Sequence, residues 1–191
     1  MNLIDRIIAA LDGPPPPDLL VGDLIEGEET LGSPAAVLVA ITDRPAPGLI
    51  LTQRHANLRT HAGQVAFPGG RIDDGETARQ AALREAEEEL ALDRAHVRIL
   101  GLADPYRTVT GFAVIPVIAL VPPDLTLVPN PAEVEDWFEA PLDFVLDPAN
   151  QQRMTADFKG RSRHYYRIDW NGRQIWGATA AMLVNLTRRI A

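Results

Sequence analysis

GGRIDDGETARQAALREAEEELAL, residues Gly69 to Leu92, packs a turn, a helix start and a run of carboxylates into 24 residues. Asp73-Asp74-Gly75 is turn chemistry, and Thr77 followed three residues later by Gln80 is a capping box, in which each side chain caps the other residue's backbone N–H. The pattern predicts a helix from about Thr77 to Leu90. At about 100° per residue, Glu85, Glu88 and Glu89 share one arc, whereas Leu83, Ala86 and Leu90 point to a different side. One face is carboxylate and another is core.

Charge runs on helices are usually solvated faces. Two physical costs weigh against that reading here. Like charges at i,i+3 and i,i+4 destabilise a helix by about 0.2–0.5 kcal/mol per pair, and Glu88 and Glu89 sit near the C-terminal end, where the helix dipole prefers cations. Oxygen ligands at this spacing suit a hard divalent cation, Mg²⁺ or Mn²⁺, which relieves the repulsion and can bridge phosphate oxygens. Glu85 and Glu89, one turn apart, are the leading ligands, with Glu88 close behind.

The spacing resembles the Nudix box: Gly, five residues, Glu, seven residues, then Arg-Glu-U-X-Glu-Glu-X-Gly-U, with U aliphatic. Gly70, Glu76, Arg84, Glu85, Ala86, Glu88, Glu89 and Leu92 stand in register. The terminal Gly is replaced by Ala91. A glycine there commonly ends a helix in the left-handed conformation, so Ala91 is expected to cost about 1 kcal/mol of strain or to force a different exit. In the site that this resemblance implies, Arg84 orients a neighbouring carboxylate through a bidentate pair, and Glu76 supports the loop or an outer metal.

The preceding segment, Leu51 to Gly70, places Arg54, Arg59 and His61 just upstream of the helix, and Gly69-Gly70 lets backbone approach a ligand closely. It resembles the additional signature of the coenzyme A pyrophosphatase branch of the Nudix superfamily. Leu51, Thr52, Arg54, Leu58, Arg59, His61, Gly63, Gln64, Val65, Phe67, Pro68, Gly69 and Gly70 carry that match. His55 departs from it, standing where the branch usually has Ser or Ala. The resemblance implies Arg54, Arg59, His61, Gly69 and Gly70 as substrate-binding residues. Nudix enzymes often add an acidic residue downstream as ligand or base, and Glu133 matches that position best. Glu88, Glu89 and Glu133 all remain open as the base.

The 191 residues suffice for one sizeable core. Cysteine is absent, which excludes disulfides and thiol chemistry. The net charge of −8 argues against a general nucleic-acid binder, whose phosphate affinity needs clustered cations. No apolar run approaches the ~20 residues of a membrane span, and MNLIDRIIAALDG lacks the basic region and cleavage site of a signal peptide. The expectation is a cytoplasmic protein acting on a small molecule, without nucleic acid or membrane, as monomer or homodimer.

Leu3, Ile4, Ile7, Ile8 and Leu11 recur at helical spacing, and Gly13 with Pro14 to Pro17 stops that helix. Residues 1–32 are read as a helix and Pro-rich lead-in, and 33–191 as the Nudix hydrolase domain. Strands are expected over Ala35 to Ile41, Leu49 to Gln53, Val97 to Leu102 and Ala113 to Val121, with Pro116 signalling an edge or bulge. Tyr106 to Phe112 reads as a loop able to cover a substrate. Pro141-Leu142 opens a helix. His164 to Ile168 and Gln174 to Trp176 form a hairpin about Asn171-Gly172, Trp176 is assigned to the core rather than to ligand stacking, and a closing helix runs to about Arg188.

The fold expected is α/β, and the resemblance implies a Nudix-like α/β/α sandwich with a mixed β-sheet. It further implies metal-dependent hydrolysis of the diphosphate of coenzyme A or its derivatives to 3′,5′-ADP and (acyl-)4′-phosphopantetheine. The alternatives are a Nudix hydrolase of ADP-ribose, dinucleoside polyphosphates or another nucleotide, and a Nudix-like binding or regulatory module without turnover. The intact Arg84-Glu85 and Glu88-Glu89 pairs argue against the last.

Overall fold

The computed structural model describes residues 1–23, 32–57, 63–158 and 161–191. Its framework is strand β1 (Ser33–Thr42), the apolar run seen in the sequence, buried along most of its length. A strand covered on both faces reads as a continuous apolar run rather than an alternation. On one side β1 pairs in parallel with β7 (Phe112–Val121) over its whole length.

The other side of β1 is divided, and this division positions the site. The end of β1 meets β2 (Gly48–Arg54) antiparallel at Ile41 and Leu49. Its beginning meets β4 (Gly69–Arg71), with Ala36 opposite Gly70 and Val37 opposite Gly69. Strand β3 (Val65–Ala66) pairs with β2 instead. The chain from β3 to β4 thus fills the gap where β1 and β2 diverge, delivering the two glycines to the middle of the sheet. Strands β5 (Arg98–Leu102) and β6 (Tyr106–Arg107) pair with the far side of β7, and β8 (Val134–Pro141) pairs with β2, completing a mixed sheet of eight strands. A separate antiparallel sheet holds β9 (Gln152–Phe158), β10 (Arg161–Trp170) and β11 (Arg173–Trp176).

One face of the large sheet is covered by α2 (Ala78–Leu90), whose Ala81, Ala82, Ala86 and Leu90 pack on Ala36, Leu38 and Val117. The opposite face is covered by α1 (Leu3–Asp12), α3 (Leu142–Leu146) and α4 (Ala178–Ile190). This is the expected α/β sandwich with a mixed sheet. Ile7 of α1 is fully buried. Arg189, 7% exposed, pairs with Asp104 at 2.5 Å and donates to the carbonyls of Ala10 and Gly13 at the end of α1. No helix among the described residues is long and apolar enough to cross a membrane.

Several sequence expectations need correction. Pro116 does not mark an edge, because β7 lies between β1 and β5. Its carbonyl accepts from the Ala103 N–H at 2.9 Å, and its missing N–H falls where β5 has ended and β6 has not begun. The break is in the neighbouring strand, and the register shift near Ile99 and Gly101 is also in β5. Tyr106-Arg107 is a strand rather than loop, and strands β8 and β9 lie where the sequence pattern predicts none. Trp176 is 42% exposed, not core: along β11 it is Ile175 that turns inward, and Trp176 lies edge-on to Tyr165 with ring centres 6.1 Å apart. Asn171 and Gly172 both have positive φ, 47° and 75°, as a two-residue type I′ turn requires.

Candidate active site

The site begins with how α2 starts and stops. Thr77 and Gln80 form the capping box, with Thr77 N donating to Gln80 Oε1 at 2.9 Å and Gln80 N to Thr77 Oγ1 at 3.3 Å. At the other end Ala91 takes the left-handed conformation, φ 53° and ψ 31°, that the glycine of the signature would adopt freely. The helix therefore exits by the usual route and carries the strain. Its last carbonyls are taken up by an incoming segment: Val128 N donates to Leu90 O at 2.9 Å and Asn130 N to Glu89 O at 2.8 Å. Those bonds satisfy groups that a helix end otherwise leaves orphaned, and they draw residues 128–134 over the helix.

Arg84 organises the acidic face. Its Nε and Nη2 bind the two oxygens of Glu76 at 2.9 and 3.0 Å, Nη1 reaches Glu85 at 2.8 Å and Glu88 at 3.4 Å, and Nη2 also donates to the Arg71 carbonyl at 3.0 Å. The fork on Glu76 holds that carboxyl below the usual glutamate range and pushes the guanidinium pKa further up. Glu76 Oε2 also accepts from the Asp73 N–H at 3.1 Å, which ties the loop to the helix.

The three glutamates are not equivalent. Their side chains are 15% exposed at Glu85, 55% at Glu88 and only 3% at Glu89. Gly69 and Gly70 explain how Glu85 and Glu89 can be so enclosed. A Cβ on Gly70 would collide with the Glu85 carboxylate, and one on Gly69 with the Ala36 carbonyl and Val37. The backbone of Gly69 and the Arg54 charge both favour the ionised form of Glu89, whose Oε1 lies 3.8 Å from Arg54 Nη1. Burial nevertheless outweighs these stabilising contacts and pushes Glu89 up to about 8; Glu85 is raised too, again mainly by burial. Glu133, carried on the segment that crosses the end of α2, adds repulsion to both.

Arg54 and Glu89 were legible as candidates but not as a pair, since 34 intervening residues hide a contact made by strand against helix. Arg59 and His61 lie outside the described residues, as does Leu58. His55 uses its Nδ1 to accept from the Asn57 N–H at 3.2 Å. The 128–134 crossing had no signal beyond the turn residues Asn130-Pro131.

A divalent cation suits this donor set. Glu89 Oε2 is buried without a hydrogen-bond partner, and burial together with mutual repulsion among Glu85, Glu89 and Glu133 leaves the pocket short of positive charge. Among the described residues no three Asp, Glu or His side chains already stand at metal-ligand spacing. Glu85 and Glu89 are the residues that would hold the ion, with Glu88 and Glu133 within the same cluster.

The NUDIX domain pattern matches residues 32–158, which span the divided strand, the glycine cradle and the carboxylate helix. The chain belongs to the Nudix family. Nudix hydrolases named NudL, themselves uncharacterised, from Escherichia fergusonii and Escherichia coli K12 are each 43% identical to it over 157 residues, covering 82% of this chain and 82% of theirs. Among solved structures, the Nudix hydrolase RenU of M. smegmatis superposes with a TM-score of 0.51 at 28% identity, covering 59% of this chain and 73% of that one. A C. elegans Ap4A hydrolase shares the Nudix fold at TM-score 0.50 and 23% identity, over 57% of this chain and 80% of that one.

Proposed function

We propose that this Nudix hydrolase cleaves the diphosphate linkage of coenzyme A or its derivatives, with Mg²⁺ or Mn²⁺, giving 3′,5′-ADP and (acyl-)4′-phosphopantetheine in the cytoplasm. The observation that carries the substrate is the run from Leu51 to Gly70, which resembles the coenzyme A signature and whose described part links β2 to the glycine cradle. In this reading water adds to one phosphorus, the bridging P–O bond breaks, and two phosphomonoester dianions leave together with the two protons of the water.

A bound divalent cation neutralises charge on the diphosphate and acidifies the attacking water. The chain's own residues supply the rest. Arg84 holds Glu85 in place, and Gly70 lets the Glu85 carboxylate lie close against the backbone. Arg54 fixes the position of Glu89. Glu88, Glu89 and Glu133 are the candidate acceptors for the water proton.

The test is a substrate panel of coenzyme A, dephospho-coenzyme A, ADP-ribose and dinucleoside polyphosphates with product identification by mass. Preference for coenzyme A supports the reading. His55, the departure from the branch pattern, favours keeping ADP-ribose or a dinucleoside polyphosphate as the alternative, and a preference for either would replace the substrate while keeping the chemistry.

A further inference from the structure

A cavity of about 240 Å³ lies between α4, the inner surface of the β9–β10 ribbon and residues 20–23. It belongs to the face of the sheet opposite α2, and none of the residues lining it is Glu76, Arg84, Glu85, Glu88 or Glu89. Its walls are held by specific bonds. Asn185 clamps the backbone of Leu20 with two bonds of 2.8 Å, and residues 21–23 run beside β6, with Asp23 N donating to Arg107 O at 2.8 Å.

The lining reverses the charge balance of the chain. Overall there are 26 acidic against 18 basic residues. Here Arg153, Arg188 and His164 line the cavity against a single acid, Asp23. Both oxygens of Asp23 are occupied, Oδ1 by the Tyr106 hydroxyl at 2.5 Å and Oδ2 by the Val109 N–H at 3.3 Å. Arg153 and His164 have capacity left. Arg153 makes no ion pair among the described residues. His164 uses Nδ1 with Thr155 Oγ1 at 3.0 Å, which leaves Nε2 for a ligand. Arg188 is the more committed of the three: it pairs through Nε with Asp18 at 3.5 Å, donates through Nη1 to the Asp18 carbonyl and through Nη2 to the Tyr166 hydroxyl at 3.2 Å, so that guanidinium and phenol form one fixed edge.

We propose that this cavity is a second binding site that takes a phosphoryl group, distinct from the carboxylate site on α2. Two guanidinium groups, an imidazole and a phenol hydroxyl match a tetrahedral oxyanion, since guanidinium pairs in a planar fork with phosphate oxygens. The volume is below that of pockets for drug-sized ligands, so it suits inorganic phosphate or the phosphorylated end of a small molecule. The site does not depend on the coenzyme A reading.

The experiment is a titration of the ¹⁵N-labelled protein in EDTA, first with inorganic phosphate and then with 3′,5′-ADP, followed by amide and histidine-ring chemical shifts. Saturable shifts at Gly22, His164 and Gly177 are expected, with a Kd on the order of 1 mM for a few charge-assisted contacts. Arg153→Ala and His164→Gln should each weaken binding about tenfold or more, and Glu85→Gln should leave it unchanged. Two variants are used because either alone can perturb the β9–β10 ribbon. Tighter binding of 3′,5′-ADP than of phosphate identifies an organic phosphate as the occupant, and equal binding identifies the free ion. Shifts confined to the α2 site, or binding indifferent to both cavity variants, would overturn the proposal.

Discussion

Replacing Glu89 with Gln separates structure from chemistry more sharply than any other substitution in this chain. The side chain is 3% exposed, one oxygen has no partner, and its pKa is pushed up to about 8 from 4.5 by burial. A glutamate with a raised pKa contributes stability that is full below the unfolded value and lost as the pH rises through the folded one. At pH 7 the metal-free folded chain still holds the proton that an unfolded glutamate has released, which costs about 3 kcal/mol. Arg54 faces a neutral group in both forms, but the amide N–H groups that Gln buries where Oε2 has no partner reduce the gain to about 2 kcal/mol. For a chain of this size that is a rise of about 4–8 °C in Tm. Melting curves in EDTA at pH 5 and pH 8 test it: Glu89→Gln should differ little from the wild type at pH 5 and be clearly more stable at pH 8. Millimolar Mg²⁺ should then raise the wild-type Tm by binding the native state and leave the variant nearly unmoved. An equal gap at both pH values, or a variant less stable throughout, would refute the claim that a buried, under-compensated carboxylate waits there for a cation.

Turnover should show the converse. Glu85→Gln and Glu89→Gln should each lower kcat by about 10²-fold or more, about 2.7 kcal/mol of barrier, with circular dichroism unchanged; full activity in excess EDTA would exclude the metal mechanism. Ala91→Gly should stabilise the protein by about 1 kcal/mol because the position is already left-handed, and urea unfolding with no gain would show that the strain is relieved elsewhere. Because Arg54 faces Glu89, Arg54→Ala should reduce kcat/KM about equally on coenzyme A and its dephospho form, whereas Arg59→Ala should lower it about tenfold more on coenzyme A, whose 3′-phosphate the dephospho form lacks. Steady-state kinetics on both substrates would contradict this assignment if the two variants behaved alike.

Elements set by local chemistry were legible in the sequence: the capping box that starts α2, the Asn171-Gly172 turn, and the apolar run that became β1. Glu76, Arg84 and Glu85 could be grouped because one helix and its leading loop carry them all. What could not be read depends on contacts between distant segments. The burial of Glu89 follows from β4 on one side and the 128–134 crossing on the other, so helical periodicity alone placed it with exposed Glu88. Pro116 misled because its meaning depends on a break in the strand opposite. Trp176 is expected in the core rather than at a ligand, yet on the edge strand β11 it is Ile175 that turns inward.

The link between α1 and α4 bears on the order of folding. Arg189 reaches the Ala10 carbonyl across 179 residues of chain. Closing so long a loop costs little more than closing one half its length, because the entropic penalty grows by only about 0.6 kcal/mol per doubling. Its effect falls on rate instead: contacts this remote slow a chain's search, and α1 rests on α4 and, through Leu11 beside Gly101, on β5, both far along the chain. The first helix in the sequence is therefore expected to join the native structure among the last, leaving the apolar side of α4 open to other molecules until it does.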